Sequence, residues 1–257
     1  MREVLEKLAK GEISVEDAEK ALKINFVENL SVARLDVGRE NRRKVPEMIF
    51  AEGKTSDDLR NICTRMIDST GRAIITRLSE SQLRELRREF GSHRIQRPPH
   101  CTSIVIKRDG YAEHHEGGRV GIITAGTVDL GIAEEAALIA GEMGCETFLE
   151  ADAGVAGIHR LVEPLKRMIE SDIDCLIVVA GREGALPTVV AGLVDVPLIA
   201  VPASSGYGFG GRGEAALMAM LQACSLGIAV VNIDSGIAAG VVAAQIANRI
   251  ARARSRA

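Results

Sequence analysis

From residue 119 onward the sequence repeats one pattern, in which a short apolar segment is followed by a glycine-containing turn and a helical stretch. The apolar segments lie at residues 120–123, 146–150, 175–179, 198–201 and 228–233. Strands that are apolar throughout and alternate with helices are typical of a parallel sheet that is buried on both faces and joined by right-handed crossovers. The pattern therefore predicts a three-layer α/β domain over residues 119–257.

The first 118 residues lack this pattern and predict a small α+β domain. The charged, amphipathic sequence up to residue 22 predicts two short helices, the second capped by Ser14. Residues 26–56 are polar and follow neither the helix nor the strand period, which indicates a loop-rich segment. Beyond it the pattern predicts two capped helices and two strands, with caps at Thr55 or Ser56 and at Ser79 and strands at residues 73–76 and 103–106.

The composition argues against several classes of protein. A formal charge of −3 and an isoelectric point near 6.0 give no reason to expect a nucleic-acid partner. The sequence contains no apolar run of 18 residues, so no membrane span is predicted. The charged amino terminus also lacks the apolar core of a signal peptide. The five cysteines are odd in number and form no C-x-x-C pair, so neither a disulfide framework nor a zinc site is predicted. We expect a soluble, cytoplasmic protein.

The loops that follow the five predicted strands form the candidate ligand site. Ligands of parallel sheets bind beyond the carboxyl ends of the strands. The loops at residues 124–129, 152–160, 180–187, 202–211 and 234–236 should therefore meet around one pocket.

Several residues of these loops suit a nucleotide. Gly126 and Thr127 precede a helix and offer backbone N–H groups to a phosphate. Asp129 would repel phosphate and suits ribose hydroxyls or Mg²⁺, with a helix N-cap as the alternative. His159 and Arg160 suit a phosphate or carboxylate, or else they are a capping histidine and a surface arginine. The remaining candidates are Asp152 and Asp234 for sugar hydroxyls, Tyr207 for stacking on a base, and the loop residues Gly181, Ser205, Gly206 and Gly208.

Four motifs in these loops carry a family resemblance. They are GVAGIHR at residues 154–160, EGALP at 183–187, SGYG at 205–208 and MLQAC at 220–224. They resemble LarB, the pyridinium-3,5-biscarboxylic acid mononucleotide synthase family of nickel-pincer cofactor biosynthesis and lactate racemase maturation. The loops at 125–129 and 180–187 are also similar to turns of the aminoimidazole ribonucleotide (AIR) carboxylase, or PurE, fold. The histidine that purine enzymes place before Leu-Pro is Ala185 here.

The resemblance implies a PurE-like, flavodoxin-like sheet and a specific reaction. CO₂ is added to ring position 5 of nicotinic acid adenine dinucleotide, and the phosphoanhydride is hydrolysed to release AMP. Cys224 is the implied nucleophile, because a thiolate adding at position 4 makes position 5 electron-rich, and Glu183 is the implied general base. A homo-octamer is implied, with no tightly bound cofactor and with a Mg²⁺ requirement left open.

The resemblance also extends to the polar segment of the first domain. Its matching residues are implied to bind the dinucleotide phosphates or to shape the pocket, and a surface salt-bridge loop is the alternative. They are Asp36, Arg39, Arg42, Glu47, Lys54 and Thr55.

Two other functions remain open. A purine-pathway AIR carboxylase or N5-carboxyaminoimidazole ribonucleotide mutase fits the fold but not Ala185, Cys224 or the first domain. A nucleotide-binding regulator without turnover would not need Glu183 and Cys224.

Overall fold

A computed structural model describes residues 2–18, 28–29 and 34–256 of the chain. The chain divides into two compact units. The N-terminal unit contains residues 1–97 and 103–111, and the C-terminal unit contains residues 98–102 and 112–257.

The N-terminal unit is built on a four-stranded mixed sheet. Its helices are α1 (Arg2–Ala9), α2 (Arg39–Arg43), α3 (Ser56–Thr70) and α4 (Glu80–Glu89), and its strands are β1 (Glu28–Asn29), β2 (Arg34–Leu35), β3 (Met48–Phe50), β4 (Arg72–Thr76), β5 (Arg94–Gln96) and β6 (Ile104–Lys107). The sheet order is β3-β4-β6-β5, with β3 parallel to β4 and the other pairs antiparallel. β1 and β2 pair separately. Apolar residues of α3 and α4 share one core with the sheet.

The two main helices of this unit begin where capping residues predict. The Thr55 hydroxyl accepts a hydrogen bond from the backbone N–H of Asp58 at 3.2 Å, which starts α3. Ser79 and Gln82 form a reciprocal capping box that starts α4. The Ser14 hydroxyl likewise accepts from the Asp17 N–H at 3.0 Å, and residues 15–18 are helical. The rest of that predicted second helix lies outside the described residues.

The prediction that residues 26–56 are irregular is partly wrong. This segment holds β1, β2, α2 and β3 among its described residues. β3 has only three residues, of which Ile49 is buried while Phe50 is 49% exposed, so it is too short to display a period. The strand β5 also has only three residues and was missed. Its one apolar residue, Ile95, lies between two exposed polar residues.

The C-terminal unit is a five-stranded, fully parallel sheet covered by helices, as predicted. The strands are β7 (Arg119–Thr124), β8 (Glu146–Glu150), β9 (Cys175–Ala180), β10 (Leu198–Pro202) and β11 (Ile228–Val230), and the helices are α5 (Leu130–Glu142), α6 (Val162–Glu170), α7 (Leu186–Ala191), α8 (Glu214–Leu221) and α9 (Gly236–Arg254). The sheet order is β11-β10-β9-β7-β8, which is the flavodoxin-like order with β7 as its first strand. β11 is shorter than the predicted 228–233, since it ends at Val230.

Burial follows position in the sheet. Every residue of β9 and β10 is buried, whereas the edge strands β8 and β11 are partly exposed. Residues of α6, α7 and α8 share an apolar core with one side of the strands. α5 and α9 pack against each other and against the central strands. In the described part of the chain, no helix combines the length and apolar character needed to cross a bilayer.

A glycine permits the close approach of α5 and α9. A Cβ added at Gly240 would lie 2.6 Å from the carbonyl oxygen of Ala136 and 3.1 Å from the Cβ of Ile139. Ala239, Ala243 and Ala247 on the same helix are also fully buried. The two helices therefore meet through small residues, with backbone close to backbone.

We expect Gly240→Ala to destabilise the protein by about 1–3 kcal/mol, because the α5 backbone cannot make room for a methyl group as a flexible side chain would. Gly141→Ala, on α5, is the matched control, since nothing lies within 4 Å of its added Cβ. That control should be neutral or stabilise by up to about 1 kcal/mol. Urea unfolding measures both variants, and equal midpoints would contradict the close packing.

Candidate active site

A cleft of about 330 Å³ opens at the carboxyl edge of the parallel sheet. Loops that follow β7, β8, β9 and β10 line it. Seven of the predicted site residues are among its walls: Gly126, Asp129, Arg160, Gly181, Glu183, Ser205 and Tyr207. Four of the five predicted loops therefore do meet around one cavity.

Asp129 joins two of these loops. One carboxylate oxygen accepts the backbone N–H of Gly126 at 3.1 Å, and the other accepts the Ser205 hydroxyl at 2.6 Å. The Gly126 N–H that was predicted to face a phosphate thus bonds Asp129 instead. Burial of this carboxyl group raises its pKa. Thr127 is exposed in the 3₁₀ turn Thr127–Asp129 and does not line the cleft.

The loop after β11 contacts the loop after β10, part of which lines the cleft. A carboxylate oxygen of Asp234 accepts the backbone N–H of Ser204 at 2.8 Å. Its negative charge also contributes to the raised pKa of Asp129, after burial. Asp234 is not among the cleft walls, so its observed contact is with the neighbouring loop.

The loop after β8 supplies a cation that is already paired. The Arg160 guanidinium donates to the Asp152 carboxylate at 2.8 Å. A Cβ at Gly154 would lie 2.6 Å from the carbonyl oxygen of Ala125, so only glycine allows the loops after β7 and β8 to pack this closely. His159 is exposed and does not line the cleft.

The loop after β9 carries the candidate base and an arginine that sequence reasoning missed. Glu183 is exposed to the cleft. Arg182 lies beside it with a left-handed backbone (φ 55°), and its guanidinium packs 4.2 Å from the centre of the Tyr207 ring. Gly181 abuts Ser205, because an added Cβ would lie 2.6 Å from its hydroxyl oxygen. The predicted residues Gly206 and Gly208 belong to the same loop as Tyr207 but are not cleft walls.

Residues 119–255 match the family described as AIR carboxylase, and residues 27–108 match the LarB/PurE-like N-terminal domain. The chain belongs to the AIR carboxylase family and has the layout of a LarB-type protein. The family resemblance read from the loop motifs is thereby confirmed.

Two relatives from Methanocaldococcus jannaschii match this chain over different lengths. The uncharacterized protein MJ0165 is 41% identical over 251 residues, which cover 96% of each chain. The N5-carboxyaminoimidazole ribonucleotide mutase is 35% identical over 127 residues, 49% of this LarB-type chain and 76% of the relative. The first relative therefore spans both domains, whereas the match to the second covers about half of this chain.

Cys224 of the LarB-type chain stands apart from its other cysteines. It is exposed, whereas Cys63, Cys101, Cys145 and Cys175 are buried. Burial raises the pKa of Cys63, Cys145 and Cys175 to about 12, so these thiols stay protonated at neutral pH.

Cys224 does not line the cleft of its own chain. It lies in the connection that enters the amino end of β11, and the Ser225 hydroxyl beside it donates to the carbonyl oxygen of Thr188. The cleft lies at the carboxyl ends of the same parallel strands. The fold therefore assigns Glu183 and Cys224 to loops at opposite strand ends.

The predicted cluster of the N-terminal unit is an ion-pair network. Asp36 pairs with Arg42 at 2.7 Å and with Arg39 at 3.5 Å, and Arg39 pairs with Glu47 at 3.0 Å. The hydrogen bond from Arg42 lowers the pKa of Asp36, whereas burial raises the pKa of Glu47. This is the arrangement expected of the salt-bridge alternative, and a role in binding substrate stays a prediction.

Lys54 and Thr55 have structural contacts in the same unit. Thr55 caps α3, and the Lys54 carbonyl oxygen accepts the side-chain amide of Gln82 at 3.1 Å. Their substrate role also stays a prediction. Among the described residues of the LarB-type chain, no three His, Cys, Asp or Glu side chains are grouped to hold a metal ion.

The raised pKa of Asp129 predicts how this residue affects stability. A carboxyl group whose pKa is raised by folding stabilises the folded state when it is protonated. The contribution of Asp129 to the unfolding free energy is therefore complete below the ordinary pKa of 3.8, and it is lost as the pH rises through the raised pKa. We expect the unfolding free energy of the wild type minus that of Asp129→Asn to fall as the pH rises from about 4 to 7 in urea titrations.

Asp36→Asn is the comparison variant, for which the pH dependence of the same free-energy difference should run in the opposite direction. Because the Arg42 hydrogen bond lowers the pKa of Asp36, the corresponding difference should shrink as the pH falls through that lowered value. An Asp129 difference that is independent of pH would show that burial does not disfavour its charge.

Proposed function

We propose that this chain carboxylates position 5 of the pyridinium ring of nicotinic acid adenine dinucleotide with CO₂ and hydrolyses the phosphoanhydride. The products are pyridinium-3,5-biscarboxylic acid mononucleotide and AMP, the first step towards a nickel-pincer nucleotide cofactor. The proposed compartment is the cytoplasm, where reducing conditions suit five free cysteines.

The observation that carries this proposal is that Glu183 and Ala185 both line the same cleft. Ala185 occupies the position of the histidine in the purine enzymes, and a methyl group cannot transfer a proton. Glu183, two residues earlier, supplies a carboxylate that can act as a base. The cleft therefore retains the architecture of a carboxylase family, and its different acid–base residues support a different reaction.

A pyridinium ring and CO₂ are both electrophiles, so the ring must first gain electron density. A thiolate adds at position 4, forming a C–S bond and leaving a neutral enamine. Position 5 then attacks CO₂ to form the new C–C bond, and Glu183 removes the position-5 proton. Departure of the thiolate restores the aromatic ring, so the ring is neither oxidised nor reduced overall. Water then cleaves the phosphoanhydride.

Cys224 is the proposed nucleophile, supplied to each cleft by a second copy of the chain. Its exposure supports this role, because a buried thiol cannot reach a ring. Its position before β11, rather than at the carboxyl ends of the strands, supports supply from another copy. Met218, Leu221 and Leu226 near it are 66%, 68% and 90% exposed, which suits a buried interface in a homo-oligomer. We propose an octamer.

Substrate binding is proposed for the cleft walls and for the ion-pair cluster of the N-terminal unit. In the cleft, Arg160 lies in a loop that suits a phosphate. In the N-terminal unit, Arg42 and Lys54 carry the positive charges that a dinucleotide would need. Mg²⁺ is a candidate ion for the hydrolytic step.

A purine-type reaction is the second candidate. Identity of 35% to a protein named N5-carboxyaminoimidazole ribonucleotide mutase favours it. Ala185 and the additional N-terminal domain weigh against it.

The first test is product analysis by mass spectrometry. Purified protein with nicotinic acid adenine dinucleotide, bicarbonate as the CO₂ source and Mg²⁺ should yield a biscarboxylated mononucleotide and AMP. Cys224→Ala should lower carboxylation by at least about 10³-fold, because it removes the covalent step. Cys101→Ala, which removes a buried thiol, should remain active if folded. Carboxylation of aminoimidazole ribonucleotide instead would favour the purine reaction.

The second test asks whether two copies build one site. Glu183→Gln and Cys224→Ala should each be inactive, yet their co-expression should restore about a quarter of the wild-type activity, since about one interface in four combines both intact groups. The two variants purified separately and kept unmixed are the control. Inactive mixed oligomers would mean that both groups act within one chain.

A further inference from the structure

One positive charge in the cleft has no carboxylate partner among the described residues. Arg160 is paired with Asp152 at 2.8 Å. The Arg182 guanidinium instead lies on the Tyr207 ring, 4.2 Å from its centre, and no described Asp or Glu forms an ion pair with it. Its N–H donors are thus free to bind an anionic ligand.

The backbone fixes the position of Arg182. Its left-handed conformation (φ 55°) is rare for a residue with a side chain and costs energy, so the surrounding structure must hold it. Gly206 lies directly against it, since an added Cβ there would be 2.8 Å from the Arg182 nitrogen. The loops after β9 and β10 therefore hold both the strained backbone and, through Tyr207, the side chain.

Contact with an aromatic ring leaves the guanidinium free to bind. The guanidinium carbon lies over the ring, and the N–H donors of a guanidinium point along the edges of its plane. Tyr207 is itself 77% exposed, so the pair lies open to an incoming ligand. A planar fork of donors matches a carboxylate, which it binds through two parallel hydrogen bonds.

We propose that Arg182, positioned by Tyr207, binds the ring carboxylate of the substrate and thereby selects nicotinic acid over nicotinamide dinucleotides. The inference rests on the proposed function. Glu183 is the proposed base for ring position 5, and the carboxylate at position 3 lies on the other side of position 4. The residue adjacent to that base is therefore suited to bind the position-3 substituent. A carboxamide is neutral and cannot form the charge-assisted pair.

The competing ligand for Arg182 is a phosphate of the dinucleotide. Phosphates are common to the nicotinic acid and nicotinamide dinucleotides, whereas the ring carboxylate belongs only to the first. A comparison of the two dinucleotides therefore distinguishes the two anions.

The experiment measures binding of both dinucleotides by calorimetry in the Cys224→Ala background, where neither covalent addition nor carboxylation occurs. Arg182→Gln should weaken binding of the acid dinucleotide by about 10- to 100-fold and binding of the amide dinucleotide by less than about threefold. Arg182→Lys should recover part of the loss, because an ammonium keeps the charge but not the fork. Tyr207→Ala should also weaken binding of the acid dinucleotide more than that of the amide dinucleotide, since the Arg182 guanidinium loses the ring that positions it.

Arg249→Gln is the matched control for the loss of one positive charge. Arg249 is exposed on α9 and is not a cleft wall, so its loss should change neither affinity. Equal weakening of both dinucleotides by Arg182→Gln would assign Arg182 to a phosphate or ribose and overturn the proposal. Unchanged binding of the acid dinucleotide would overturn it as well.

The proposal and the proposed function can fail separately. If the wild type makes no carboxylated product but Arg182→Gln abolishes a preference for the acid dinucleotide, the carboxylate subsite stands and the reaction does not. If the wild type carboxylates the dinucleotide and Arg182→Gln leaves the preference intact, the reaction stands and the subsite does not.

Discussion

Strand β7 hydrogen-bonds to β8 on one side and to β9 on the other, and this double pairing determines where a ligand can bind. Since the chain turns one way after β7 and the opposite way after β9, the loops at the carboxyl ends of these two strands separate and leave a crevice. Asp129 and Ser205 connect the walls of that crevice by a hydrogen bond between loops 76 residues apart. Glu183 and Arg182 are placed by the same sheet, one strand further along.

Much of the fold could be predicted because burial on both faces makes strands visible in sequence. The apolar runs that became β7, β9 and β10 were predicted to within one residue at each end. The caps at Thr55 and Ser79 were predicted because their hydroxyl groups and following polar residues are local signals. Strands of three residues, such as β3 and β5, carry too few positions for any period.

The sequence predicted which residues belong to the candidate site better than it predicted how those residues are arranged. Asp129 was expected to face a ligand, yet its carboxylate holds the Gly126 N–H and the Ser205 hydroxyl, a contact between distant loops that no local pattern encodes. Arg182 was missed because a left-handed backbone at a residue other than glycine leaves no mark in the sequence. The position of Cys224 could have been derived, since a residue that precedes a strand of a parallel sheet cannot lie at that strand's carboxyl end.

The position of Cys224 also makes the molecule convenient to label. An exposed thiol in a chain whose other four cysteines are buried will take up a maleimide dye selectively. Because that thiol is not a wall of its own chain's cleft, the dye on an isolated chain would leave that cleft open. Fluorescence from this position would therefore test the proposed supply of Cys224 to a second copy of the chain, while the response of the cleft to its ligands could be followed separately.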